Sequence, residues 1–153
     1  MKYFLTLCLF GLTACHFAPL YSNSHTVGVC VAPIPEESGY KMRHILQQYF
    51  PDTSNCSYTL QVLPPITLLS DQSISDKDFI TMQQIQTSTS YKLLDTHKEI
   101  VLENTLSTKG SSAIVANPYA SVVATEKTEN NLEIALAEQI ALHVMAFLNR
   151  NTP

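Results

Sequence analysis

Apolar and polar residues alternate along four stretches of the chain. A period of two is the pattern of a half-buried β-strand. The alternation predicts strands over residues 26–32, 57–63, 78–95 and 99–109, with a turn at 96–98 that joins the last two into a long antiparallel hairpin. Pro64 and Pro65 interrupt the second strand, so residues 66–77 form either an edge continuation or a loop.

Two other stretches carry apolar residues at helical spacing. In residues 36–50, the apolar side chains recur at i, i+3, i+4, i+7 and i+8, and Pro51 ends the pattern. The second stretch, 130–148, is the strongest, and Asn131 is its expected N-cap. The order β-α-β-β-β-α predicts an α+β fold with a single mixed four-stranded β-sheet and two α-helices packed on one face.

The start of the chain has the pattern of a bacterial lipoprotein signal. Lys2 precedes about ten apolar-leaning residues, the length of a secretory signal rather than of a membrane span. Leu12-Thr13-Ala14 then leads into Cys15, as a lipoprotein signal peptidase requires. We expect a signal peptide at 1–14, lipidation of Cys15, a tether at 15–25 and one domain at 26–150, anchored durably by several acyl chains.

The remaining cysteines and the charge narrow the class of protein. Cys8 would leave with the signal peptide, so Cys30 and Cys56 remain in an oxidising compartment, where they form either a disulfide or two buried thiols. The chain has 13 acidic and 9 basic residues, giving a net charge of −4. Without a basic stripe, nucleic-acid binding is not expected.

No pattern for catalysis stands out in the sequence. The four glycines make no phosphate-binding loop, and the five histidines lack metal-ligand spacing. Ser111 and Ser112, which follow Lys109, are explained more simply by a turn rich in small polar residues than by a nucleophile. We expect no catalytic residue, no metal, no cofactor and no enzymatic activity.

Three short stretches resemble the LptE family of lipopolysaccharide-assembly lipoproteins in its alphaproteobacterial form. Residues 15–21 read CHFAPLY, similar to the family's mature start CGFRPLY, with Ala18 in place of the arginine. Residues 90–95 resemble the segment before the hairpin turn, and residues 117–121 with 137–141 resemble the last helix. The family's fold, with helices on one face of a four-stranded mixed sheet, agrees with the predicted order of elements.

The resemblance implies a role in the envelope. Members of the family are outer-membrane lipoproteins facing the periplasm that partner the β-barrel translocon LptD in the assembly and insertion of lipopolysaccharide. Some members bind lipopolysaccharide directly, which here would involve Lys92, Lys98 and Lys109 near the hairpin. The alternatives are an auxiliary lipoprotein of an ABC-type phospholipid transport system and a structural envelope lipoprotein.

One apolar stretch is a candidate partner surface. Ile66, Leu68 and Leu69 follow the two prolines, which should keep this stretch out of a central strand. Exposed apolar side chains there would mark a surface for the barrel. The alternative is that these residues complete the core from an edge strand.

Overall fold

The structure, a computed structural model, describes residues 28–51, 54–74 and 80–151. The predicted signal peptide, Cys15 and the tether lie outside the described residues. The elements are β1 (Val29–Val31), α1 (Glu37–Tyr49), β2 (Tyr58–Val62), β3 (Ile66–Ile74), β4 (Ile80–Leu94), β5 (Ile100–Ala113) and α2 (Pro118–Asn151).

The long strand β4 is the centre of one mixed sheet. It pairs antiparallel with β5 along one edge, from Met82 opposite Ala113 to Leu94 opposite Ile100. On its other edge it pairs antiparallel with β2 and then with β3, which lie end to end. β1 runs parallel to β2. The predicted α+β fold is confirmed, with five strands in a sheet that is four strands wide.

The additional strand arises from the two prolines. Val62 lies opposite Tyr91 and Ile66 opposite Ser88, so three residues of one strand line face two of β4. Proline cannot donate a backbone hydrogen bond to the ladder. The Thr89 hydroxyl instead donates to the Leu63 carbonyl at 2.6 Å. The strand line therefore bulges at the prolines and resumes as β3, which settles the alternative in favour of an edge continuation.

Both helices pack on the same face of the sheet. The residues of β4 that point to this face have odd numbers, and they are buried from Ile85 to Leu93. Because α1 and α2 each present an apolar stripe, the sheet and the two helices enclose one core. Its fully buried large side chains include Met42, Leu46, Leu60, Tyr91, Leu93, Leu136, Ile140 and Val144.

The helix α2 is longer than the sequence pattern indicates. It begins at Pro118, and the Asn117 side chain accepts the Tyr119 backbone N–H at 3.0 Å. An asparagine N-cap followed by proline is a favoured helix start. Asn131 therefore lies inside the helix, and its prediction as the N-cap is wrong.

A helix of 34 residues is about 51 Å long at 1.5 Å per residue. By length and composition alone it would be able to cross a membrane. The stripe of its C-terminal half is instead buried in the core, at Leu136, Ile140 and Val144.

The strand β5 is also longer than predicted. It continues to Ala113, so Ser111 and Ser112 lie in a strand and the predicted turn at these residues is wrong. Ser112 is buried, and Thr125 of α2 donates to its hydroxyl at 3.4 Å. The contact with α2 explains why a stretch of small polar residues stays extended along β4.

A disulfide joins Cys30 of β1 to Cys56, just before β2. β1 has only three residues and pairs only with β2 in the described part of the chain. The disulfide therefore holds the shortest strand of the sheet to its neighbour.

Candidate partner-binding surface

The sheet and α2 extend beyond the core at one end, which we call the distal end. It contains β3, the part of β4 opposite β3, the last residues of β5 and residues 118–129 of α2. The other, proximal end contains β1, β2, α1 and the C-terminal half of α2. Most of the exposed large apolar side chains of the described residues lie at the distal end: Ile66, Leu68, Leu69, Met82, Val115, Tyr119, Val122 and Val123.

The strand β3 supplies one part of this surface. Ile66 is 64 % exposed, Leu68 61 % and Leu69 50 %. Leu69 lies on the helix-facing side, next to the fully buried Ile85, yet half of its side chain stays accessible. The covering layer thus reaches β4 but not β3, and these three residues lie outside the buried core. The alternative that they complete the core is not what the structure shows.

The first three turns of α2 supply the other part. Tyr119 and Val123 lie three turns before Asn130 and Ile134, on nearly the same face of the helix. At Asn130 and Ile134 this face meets α1. α1 begins close to that level, because Lys41 in its second turn donates to the Asn130 side chain at 3.0 Å. Closer to its start α2 projects past α1, so Tyr119 and Val123 are exposed.

The contact between α2 and the sheet is unusually polar at this end. Thr87, Thr89 and Ser112 are buried there. A Cβ added to Gly110 would lie 2.9 Å from Thr128 Cγ2 and 3.3 Å from Leu132 Cδ2, so helix and strand approach closely. Small polar residues and Ile85 fill the inside, while most of the larger apolar side chains point outward. We call the six exposed residues Ile66, Leu68, Leu69, Tyr119, Val122 and Val123 the apolar tip. Ile66 and Leu68 lie on the outer face of the sheet, and Leu69 lies on the helix-facing side.

The three candidate lysines do not form one site. Lys92 pairs with Glu103 at 3.0 Å across β4 and β5. Lys98 lies in the hairpin turn, in a left-handed conformation with φ 64°. Lys109 lies opposite Gln86, six residues along β4 from Lys92, which corresponds to about 20 Å. A lipid phosphate would meet these lysines one at a time.

A cavity of about 500 Å³ lies between α1 and α2 at the proximal end. It is mostly apolar, with Tyr40, Ile45 and Ile134 in its walls. Glu133 also lines it. Burial raises the pKa of Glu133, nearby Lys41 lowers it, and the carboxylates of Glu129 and Glu37 raise it further.

The described residues offer few reactive groups. They contain no cluster of three histidine, cysteine or acidic side chains suited to a metal ion. Burial raises the pKa of Tyr91, although a hydrogen bond with Asn104 lowers it. The Tyr91 hydroxyl also lies 3.2 Å from His143 Nδ1. This pair ties α2 to the centre of the sheet, which is a structural role.

The helical part of the apolar tip was not among the sequence-based candidates. The signal that would have found it is the helical spacing of Tyr119, Val122 and Val123 at i, i+3 and i+4. Because the sequence pattern places the helix from residue 130, these residues read as a lead-in segment. Recognition of Asn117-Pro118 as an N-cap pair would have extended the helix over them.

No family model and no curated protein matches the chain. Solved structures do share its fold. Rare lipoprotein B from Shewanella oneidensis is 14 % identical, with 81 % of this chain and 96 % of that chain covered and a TM-score of 0.63. The minor lipoprotein from Acinetobacter baumannii is 18 % identical, with 83 % and 98 % covered and a TM-score of 0.61.

Lipoprotein B from Nitrosomonas europaea is similar at 15 % identity, with 80 % of this chain and 87 % of that chain covered and a TM-score of 0.59. At these identities the likeness establishes a common fold. The three matches cover between 87 % and 98 % of the solved chains, so the likeness extends over most of both proteins.

Proposed function

We propose that this protein is a lipid-anchored envelope protein that binds a β-barrel partner of the LptD type at the outer membrane and assists the insertion of lipopolysaccharide. The lipoprotein signal at residues 12–15 and the family-like start at 15–21 support the anchor. The fold, shared with three lipoproteins of other bacteria, agrees with it. In this proposal the protein acts by binding, not by catalysis.

The observation that carries the proposal is the apolar tip. Large exposed apolar patches on soluble domains usually mark surfaces for a partner. The charged side chains of the described residues at the distal end are Asp71, Lys109, Glu126, Lys127 and Glu129, and none of them lies between Ile66 and Ser70. An end that projects beyond the core and exposes apolar side chains is suited to enter the lumen or mouth of a larger protein.

Site-specific photo-crosslinking tests the contact. A photoreactive amino acid at Tyr119, which is 78 % exposed, should capture a large barrel protein from the host envelope. The matched control is Tyr40, a tyrosine of similar exposure (72 %) at the proximal end, which should capture much less of it. Equal capture at both positions, or no barrel at Tyr119 and Leu68, would contradict the proposal.

Depletion of the protein supplies a second test. It should reduce mature barrel in the outer membrane and lipopolysaccharide at the cell surface. Capture of an inner-membrane permease would favour the phospholipid-transport alternative, and an unchanged envelope would favour a structural lipoprotein. Direct binding of lipopolysaccharide through Lys92, Lys98 and Lys109 stays a prediction. The structure does not bring these lysines together, so each of them would have to meet a lipid phosphate separately.

A further inference from the structure

The first five residues of β3 lack the features that usually protect an edge strand, whereas Asp71 and two register shifts lie in its second half. A strand edge presents unpaired backbone donors and acceptors, and proteins blunt such edges with lysines, prolines, bulges or a covering element. Residues 66–70 contain no charged residue and no proline, and the register shifts of β3 occur only after Asp71. By contrast, β5 carries Glu103 and Lys109, and α2 lies against it.

The described residues place no strand beside the outer edge of β3. β1 occupies the position beside β2, and Pro33 and Pro35 follow β1 before α1 begins. In the described part of the chain no strand continues in line with β1 alongside β3. Among the described residues, an added strand would find β4 on the far side of β3 and no strand on the near side.

The segment of β3 available for pairing is symmetric about Leu68. Pro65 bounds it at one end, and the register shift after Asp71 bounds it at the other. We propose that β3 pairs antiparallel with β3 of a second copy of this chain, with the two Leu68 residues opposite each other on a twofold axis. Such an isologous contact joins the two sheets into one.

The side chains are complementary in this register. On the outer face the two Leu68 side chains meet, and each Ile66 lies opposite Ser70 of the second copy. On the helix-facing side each Leu69 lies opposite a Thr67. Asp71 lies opposite Pro65, so no like charges face each other, as a stable cross-strand arrangement requires. The pairing also shields part of Leu68 and Leu69, which are 61 % and 50 % exposed, from water.

Cysteine crosslinking in the full chain tests the register. After mild oxidation of host membranes with copper phenanthroline, Leu68→Cys should give a covalent dimer of twice the chain mass. Ile66→Cys and Ser70→Cys should crosslink when co-expressed, and Ile66→Cys alone should not. Leu142→Cys, at an exposed leucine of α2 (45 %), is the control for random collision. Dimer no more abundant from Leu68→Cys than from Leu142→Cys would overturn the proposal.

A charge exchange at the same position provides an independent readout. Two differently tagged full-length copies should co-purify from membranes when both are wild type. Co-purification should fall at least tenfold when both carry Leu68→Lys or both carry Leu68→Glu, because like charges would face each other. It should return when one copy carries each. Co-purification that is unaffected by all three combinations would show that the copies do not meet at β3.

The inference does not rest on the proposed function, and the two fail separately. A barrel adduct is much larger than a covalent dimer of this chain, so one gel distinguishes them. If Leu68→Cys forms adducts only with a barrel or with another protein, the self-pairing is wrong and the partner proposal stands or falls on its own crosslinks.

Discussion

The two ends of the domain are built on the same sheet and the same long helix, yet they bury different kinds of side chain. At the proximal end two helices cover the sheet, and Leu136, Ile140 and Val144 are fully buried. At the distal end only α2 covers the sheet, the interior holds Thr87 and Ser112 beside Ile85, and most of the large apolar side chains point to solvent.

The comparison shows that the distal end does not lack apolar residues. Its apolar side chains on α2 are exposed because α1 does not extend over them. Three turns of α2 carry Tyr119, Val122 and Val123 on a face that α1 would cover if it were longer. Buried apolar area is the main stabilising contribution to folding. The proximal end therefore carries most of the stability, and the distal end is free to expose a surface for binding.

The largest expected effect separates the two ends directly. Ile140→Ala, at a fully buried residue, should lower the free energy of unfolding by about 2–5 kcal/mol, because it removes buried methyl groups and leaves a cavity. Val122→Ala, at a residue 64 % exposed, should change it by less than about 0.5 kcal/mol. Urea unfolding followed by circular dichroism measures both. A large loss for Val122→Ala would mean that the tip is part of the core.

The disulfide gives the second effect, again at the proximal end. Replacement of Cys30 and Cys56 by alanine should cost about 3 kcal/mol, since the link closes a loop with a sequence separation of 26. The variant should unfold at lower urea, and dithiothreitol should destabilise the wild type but not the variant. Equal sensitivity of both proteins to dithiothreitol would contradict a stabilising disulfide. If the distal end folds independently of β1, a photoreactive amino acid at Tyr119 should still capture the barrel in the variant that lacks both cysteines.

Apart from β3, the order of elements was predictable because each stretch carries a clear period. The pattern marks buried residues in both kinds of element. In the alternating strand β2, Leu60 and Val62 are buried and Tyr58 is half-buried, and in α2 Leu132, Leu136 and Ile140, at helical spacing, are buried. Periodicity reports which face of an element is covered, so it predicts the proximal end well.

The distal end was only partly predictable for the same reason. In β3, Ile66, Leu68 and Leu69 are exposed on both faces, so no alternation marks the strand, and only the prolines before it suggested an edge. At the start of α2, the residues that touch the sheet are small and polar, such as Thr125 and Thr128. A pattern based on buried apolar residues could not locate the helix there.

A third prediction compares the tolerance of the two ends for one added methyl group. Gly39→Ala in α1 would place a Cβ 2.9 Å from the Ile34 carbonyl oxygen and 2.6 Å from its Cγ2. Although alanine favours helix by about 1 kcal/mol, overpacking against backbone should make the net effect a loss of about 1–2 kcal/mol.

Gly110→Ala at the distal end is the comparison. Its Cβ would meet only the side chains of Thr128 and Leu132, which can move, so the loss should be smaller. Thermal unfolding of the two variants measures the difference. A larger loss for Gly110→Ala would show that the contact between helix and sheet is the tighter one at the distal end.

The smallest expected effect lies where α1 begins, at the boundary of the two ends. Burial raises the pKa of Glu133 above its usual value of 4.5, so ionisation of this group disfavours the folded state. The penalty is fully present above the folded-state pKa and disappears as the pH falls through that value and below the unfolded one.

Glu133→Gln should therefore be more stable than the wild type at pH 7, by less than about 1 kcal/mol because solvent screens a partly exposed group. The difference should vanish in acid. Urea unfolding at several pH values measures the variant and the wild type. A Glu133→Gln variant less stable than the wild type at pH 7 would mean that the attraction of Lys41 outweighs burial, and that the carboxylate stabilises the junction of α1 and α2.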